Sequence, residues 1–238
     1  MSGTVNIENH FSDDDSGGQA VSFLLEENER IHLLHPQQII AYQGPSSGRA
    51  DRLMDLKGMY RKKKLIRADM TGPCRFTAAL PPGYRIKSIT LNGDDDLLYD
   101  FKHLFYYSEG ISMQTRILSM KNMVVTRDVV KIKFSGKGSF GLLTEGTVCE
   151  AALDPVKPLY VDAGSVIAYP ENASLELTVY GNHLASQHMS YQWKMTGSGP
   201  VLFQAGRQNR RFEQEIREDG LLKRFLREVL PFGGVIIK

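Results

Sequence analysis

Apolar and polar residues alternate over short stretches along most of this chain. Val130, Ile132 and Phe134 alternate with Lys131 and Lys133; Tyr191, Trp193 and Met195 with Gln192, Lys194 and Thr196; Leu175, Leu177 and Val179 with Glu176, Thr178 and Tyr180. A period of two places each apolar set on one face of a strand. Turn-forming residues punctuate these stretches at Pro81-Pro82-Gly83, Asn92-Gly93, Gly136-Lys137-Gly138, Gly181-Asn182 and Gly197-Ser198-Gly199. Asn92-Gly93, followed by Asp94-Asp95-Asp96, reads as a hairpin tip. Many short strands with dense turns predict an all-β fold, a sandwich, barrel or rolled sheet. Only the end departs from this pattern. Leu222, Phe225, Leu226 and Val229 recur at helical spacing between Asp219 and Pro231, with Lys223, Arg224 and Arg227 opposite, and Val235–Ile237 reads as a last strand.

Superimposed on the alternation is a longer period. Leu34–Tyr42 (LHPQQIIAY), Tyr99–Tyr107 (YDFKHLFYY) and Val161–Tyr169 (VDAGSVIAY) share an apolar residue, a His or Asp, three loop-like residues and an apolar run closing on Tyr. The closing tyrosines are 65 and 62 residues apart. Met70-Thr71-Gly72, Phe134-Ser135-Gly136 and Met195-Thr196-Gly197 follow at nearly the same period, and Gly18 with Leu25, Gly83 with Leu91, and Gly146 with Leu153 precede. Three signatures in one order predict a unit written three times. The expected units cover about 18–80, 81–144 and 145–206, with a helix and strand over 207–238, the whole forming a single β domain.

Composition narrows the functional classes. The 238 residues are 42% hydrophobic and 24% charged with a net charge of +2, an ordinary globular balance with too little charge to indicate nucleic acid from totals. No apolar run approaches the roughly 20 residues that cross a bilayer as a helix. The first 18 residues read as neither secretory signal nor transit peptide. Cys74 and Cys149, in different units, form no metal spacing or disulfide framework and read as small buried residues of a reducing cytoplasm.

Motifs for chemistry are weak. Gly136-Lys137-Gly138-Ser139-Phe140-Gly141 fits the dinucleotide pattern G-x-G-x-x-G, but LLTEGTV carries no helical stripe, and an anion-binding helix N-terminus is what gives that pattern its function. It reads as a hairpin turn. His183 and His188 have no companion ligand at useful spacing, and no G-x-S-x-G occurs. His35, Asp100 and Asp162 recur at one repeat position and read as turn residues that bond their own backbone. Asp13–Asp15 and Asp94–Asp96 lack calcium-loop alternation and read as solvated turns. Arg61, Lys62, Lys63 and Lys64, with Arg67 nearby and Tyr60 beside them, are the candidate nucleic-acid contacts: cations pair phosphates while an aromatic stacks a base. Alternation splits that run over two faces, which favours a charge-protected edge strand.

The stretches VKPLYVDAGSVIAYPENASLELTVYG, WKMTGSGPVLFQAG, KFSGKGSFGLLTEGTV and LREVLPFGG are similar to the altered-inheritance-of-mitochondria family number twenty-four, a mitochondrial biogenesis family. The likeness spans about 20–238 and is clearest beyond 129. It implies three double-stranded β-helix repeats related to the subunit of the tryptophan RNA-binding attenuation protein. It carries over no catalytic residue, and no metal or cofactor is expected. The resulting expectation is a soluble, cytoplasmic, non-catalytic interaction or scaffold protein that forms a homo-oligomer or binds a protein partner. The rivals are a single-stranded nucleic-acid binder using 61–67, aided by Arg207, Arg210 and Arg211, and a small-ligand binder with a cavity near Trp193.

Overall fold

A computed structural model of the chain describes residues 6–10, 19–54, 65–117, 130–180 and 190–206. The expected C-terminal helix and last strand, Arg207, Arg210 and Arg211, the basic run Arg61–Lys64, the histidines His183 and His188, and Asp13–Asp15 all lie outside the described residues. Those described are nearly all strand and loop, with single 3₁₀ turns at Pro36–Gln38, Ser46–Gly48 and Phe101–His103, so the all-β expectation holds.

In the first third of the chain, β1 (Asn6–His10), β2 (Gln19–Leu25), β3 (Arg30–Leu33), β4 (Ile39–Gln43) and β5 (Arg49–Met54) lead to β6 (Leu65–Thr71) and β7 (Cys74–Leu80). The middle third holds β8 (Tyr84–Asn92), β9 (Leu97–Asp100), β10 (Leu104–Ser108), β11 (Ile111–Ile117) and the long β12 (Val130–Glu145). The last third holds β13 (Val148–Leu153), β14 (Leu159–Asp162), β15 (Val166–Pro170), β16 (Ser174–Tyr180), β17 (Ser190–Thr196) and β18 (Gly199–Gln204).

One antiparallel pairing scheme runs through all three. The central strands are β6 and β7, then β12, then β17 and β18. Along one edge lie β2 and β3, then β8 and β9, then β13 and β14. Along the other lie β4 and β5, then β10 and β11, then β15 and β16. In each third the register slips at one point, between Ile39 and Ala41, Leu104 and Tyr106, and Val166 and Ala168. Two further pairings join the thirds: β10 on β3 and β15 on β9.

Among the described residues three apolar cores follow from this arrangement, and each borrows from a neighbour. Phe23 stacks on Phe76 with ring centroids 4.7 Å apart, and Phe105 and Tyr106 of the middle third reach into the same core. Phe134 and Phe140 stack at 4.0 Å with Tyr99 edge-on, and Ile167 and Ala168 of the last third join them. Trp193, Met195 and Val201 pack with Leu98 of the middle third. Trp193 is therefore core, its ring filled in by neighbours.

Two expected turns are absent. Strands β8 and β9 do not pair with each other; they lie end to end along one edge of β12, so Asn92-Gly93 is a bend in a continuous edge and no hairpin tip. The run Gly136–Gly141 is likewise no hairpin turn, because β12 continues through it while passing from β9 and β11 to β8 and β10 as partners. Gly136 has φ +110 and donates its amide to Gly93 at 3.1 Å, while Gly141 lies against the Tyr106 ring, where a Cβ would collide. Glycine serves close approach here. The pairing also refines the alignment by one residue: Leu33, not Leu34, is the partner position matching Tyr99 and Val161.

Candidate functional site

The candidate nucleic-acid contact that falls among the described residues is Arg67, on β6. Period two places Asp69 on its face, and the neighbouring strands bring Arg52 and His32 alongside. Arg67 Nε lies 3.0 Å from Asp69 Oδ1, Arg52 Nε 3.0 Å from Oδ2, and His32 Nδ1 2.6 Å from Oδ1. The Arg67 guanidinium also donates to the Tyr107 hydroxyl at 2.8 Å, and the His32 and Tyr107 rings stand 4.7 Å apart. Burial raises the Tyr107 pKa against the opposing pull of Arg67, so the phenol stays protonated. Arg67 is thus held by a carboxylate and a phenol, the partners that a phosphate would have to displace. Sequence reasoning paired it with the lysines upstream; Asp69, two residues on, was the available signal for its actual partner.

A second polar cluster was not foreseen. Asp100 ends β9, directly opposite Lys131 on β12. Lys131 Nζ donates to Asp100 Oδ1, and Lys102 Nζ lies 3.2 Å from Oδ2. The Lys131 ammonium also sits 5.6 Å from the centroid of the Tyr169 ring. Asp100 and Lys131 are both buried. Burial pushes the Asp100 carboxyl up, but Lys131 and Lys102 outweigh it and hold its pKa below the ordinary value. Tyr169 is pushed up, by burial first and then by the Asp100 charge. The group is a fixed ion pair capped by an aromatic face, with its acid ionised and its phenol neutral at pH 7.

Asp100 therefore departs from the turn role expected of it. Asp162 keeps that role: its Oδ1 accepts from the Gly164 amide at 3.0 Å and from the Ser165 hydroxyl at 3.2 Å. His35 lies beside the Phe105 ring, 5.8 Å between centroids, and burial lowers its pKa. The acidic run at 94–96 is not uniformly solvated, because Asp95 accepts from the Leu97 amide at 3.0 Å and the Tyr99 hydroxyl at 2.6 Å.

An open cleft of about 630 Å³ between the middle and last thirds is lined by Tyr84, Lys102, His103, Glu145 and Gln204, among others. Its floor is tied down: His103 Nδ1 lies 2.9 Å from the Leu143 carbonyl, and the Glu145 amide donates to Gln204 Oε1 at 2.8 Å. Among the described residues no group of three or more His, Cys, Asp or Glu is placed to hold a metal ion, and no helix is long and apolar enough to cross a membrane. Cys74, buried, and Cys149, half-buried, are both free.

The architecture is similar to the X-ray structure of a Streptococcus pyogenes protein determined as a structural-genomics target, with a TM-score of 0.58, 12% sequence identity, and coverage of 90% of this chain and 100% of that one. At that identity the likeness is one of fold alone. No curated protein matches the chain. The model of one family, described as mitochondrial biogenesis AIM24, matches residues 1–206, the whole span of the three pairing schemes, and the chain belongs to that family.

Proposed function

We propose that this chain is a non-catalytic interaction or scaffold protein that associates with itself, built from three tandem double-stranded β-helix repeats of the kind found in the tryptophan RNA-binding attenuation protein. The observation that carries this reading is the use made of the ionisable groups. Asp100 is neutralised by Lys131 and Lys102 inside the fold, and Asp69 is shared by Arg52, Arg67 and His32. Each cluster is a closed set of charges that holds strands together, whereas a reacting centre keeps an acid, base or nucleophile aimed at a space for substrate. Free Cys74 and Cys149 accord with a reducing cytoplasmic setting.

Native mass spectrometry of the purified chain tests the reading. The expected spectrum is a discrete multiple of 26.7 kDa with no added mass. A monomer carrying a retained small molecule would replace this reading with that of a ligand binder. Steeply salt-dependent binding of single-stranded RNA, weakened by charge reversal across 61–64, would replace it with the nucleic-acid reading.

A further inference from the structure

Among the described residues, two pairings obey one rule, and the rule is left unfinished at both ends. Strand β10 lies antiparallel on β3 with Tyr106 opposite Leu33, Tyr107 opposite His32 and Ser108 opposite Ile31. Strand β15 lies on β9 with Ala168 opposite Tyr99, Tyr169 opposite Leu98 and Pro170 opposite Leu97. In both cases the strand after the loop of one third covers the strand before the loop of the preceding third. The register is the same once Leu33 and Tyr99 are equated. In both, the register slip falls at the residue that enters the neighbour's core, Phe105 in one and Ile167 in the other. A bulge aims a side chain in this way.

Applied once more, the rule requires β14 of the last third and β4 of the first. Both strands exist, and among the described pairings β14 meets only β17 and β4 only β7. The consequence is visible at the bulge residue. Phe105 and Ile167 are each 1% exposed, while their counterpart Ile40, at the same register slip on β4, is 65% exposed. On the other edge Tyr160, the counterpart of Leu98, is 52% exposed. The outward backbone groups also match. The Ala163 amide donates inward to Tyr191, so by alternation the amides of Tyr160 and Asp162 point outward. The carbonyl of Phe105 accepts from Leu34 across the existing pairing at 2.9 Å, and Ile40 offers the corresponding acceptor.

We propose, building on the self-association reading above, that β4 of one copy pairs with β14 of a second copy: Ala41 opposite Val161, Tyr42 opposite Tyr160 and Gln43 opposite Leu159, with Ile40 entering the last third's core. The occupant of each edge is another copy because the chain carries both halves of a contact whose geometry it already builds twice. Such a contact is head-to-tail. Every copy keeps one free edge of each kind until the rotation closes a ring, or extends without closing.

The test uses the full-length chain in sedimentation velocity at about 50 μM, where a micromolar contact is largely formed. Ile40→Glu places a charge on the β4 edge, and Tyr160→Pro removes an outward donor from β14. Each variant alone is expected to be monomeric with an unchanged circular-dichroism spectrum, and a mixture of the two is expected to give a one-to-one dimer and nothing larger. Val179→Glu, on an exposed strand elsewhere, is expected to assemble as wild type. Assembly of either single variant at wild-type size, or a mixture that stays monomeric, would overturn the head-to-tail pairing while leaving self-association standing. A monomeric wild type would overturn both. Should Tyr160→Pro fail to fold, Tyr160→Lys in the same mixing experiment replaces it.

Discussion

The middle third and the two outer thirds share one pairing scheme, yet the same positions live in different surroundings. In the middle third, β9 is covered by β15 and β10 lies against β3. Asp100 at the loop entrance is consequently sealed against Lys131, and Phe105 after the loop is sunk in a neighbour's core. In the last third Asp162 stands at the same entrance, opposite Gln192, and among the described residues its side chain bonds its own loop; in the first third Ile40 stands where Phe105 does and faces solvent. Both the facing residue and the cover differ: Lys131 stands opposite Asp100 beneath Tyr169, whereas Gln192 stands opposite Asp162 and, among the described pairings, no strand lies on the outer side of β14. A facing lysine under cover makes the carboxylate a buried ion pair where a facing glutamine leaves it a turn cap, and cover decides whether an apolar side chain becomes core or open edge.

The sharpest way to break that comparison is Lys131→Met. Removing one partner of a buried pair leaves an under-compensated charge and is expected to lower unfolding free energy by about 3–5 kcal/mol. Adding Asp100→Leu should restore most of the loss, because a matched apolar pair needs no compensation. Urea denaturation of the single and double variants reads both, and a single variant within 1 kcal/mol of wild type would show that the pair is not buried in solution. Phe105→Ala is expected to cost about 3–5 kcal/mol through its cavity, against about 0.5 kcal/mol or less for Ile40→Ala measured on the monomer. Similar losses at the two positions would erase the distinction between covered and open strands.

Two smaller effects sharpen it. Asp162→Ala removes a local loop acceptor and is expected to cost about 1 kcal/mol, well below Lys131→Met. The acid dependence of Asp100 follows from its depressed folded pKa. Its contribution is present above the unfolded value of about 3.9 and is lost as pH falls through the lower folded value. The stability difference between wild type and Asp100→Asn should therefore hold steady from pH 7 to about 5 and narrow below about 4; a difference that grows on acidification would reverse the sign of the account.

Much of this architecture is legible in alternation and recurrence. Trp193 and Met195 are buried as their period predicts, and Ile132 and Phe134 likewise. What alternation could not show is that Lys131, on the opposite face from Ile132, is buried too, since Tyr169 from the last third lies over it. A two-residue period reports which face a side chain takes, and only topology reports whether that face meets water. The glycines of 136–141 misled for a related reason. Turn-forming and close-approach glycines look alike in sequence, and here Tyr106 and Gly110 crowd a strand that continues. Arg67 was legible as a cation, and its restraint by Asp69 and Tyr107 was half legible: Asp69 by spacing, Tyr107 only through the pairing of β10 with β3.

Hydrogen exchange along the strand edges tests the central claim, that equivalent strand edges are covered on β9 and open on β14. In dilute, monomeric protein the outward amides of Tyr160 and Asp162 on β14 should exchange far faster than those of Leu98 and Asp100 on β9, and should gain protection as concentration rises. Equal protection of β14 and β9 at every concentration would mean that the open edges are already paired within one chain, contradicting the account.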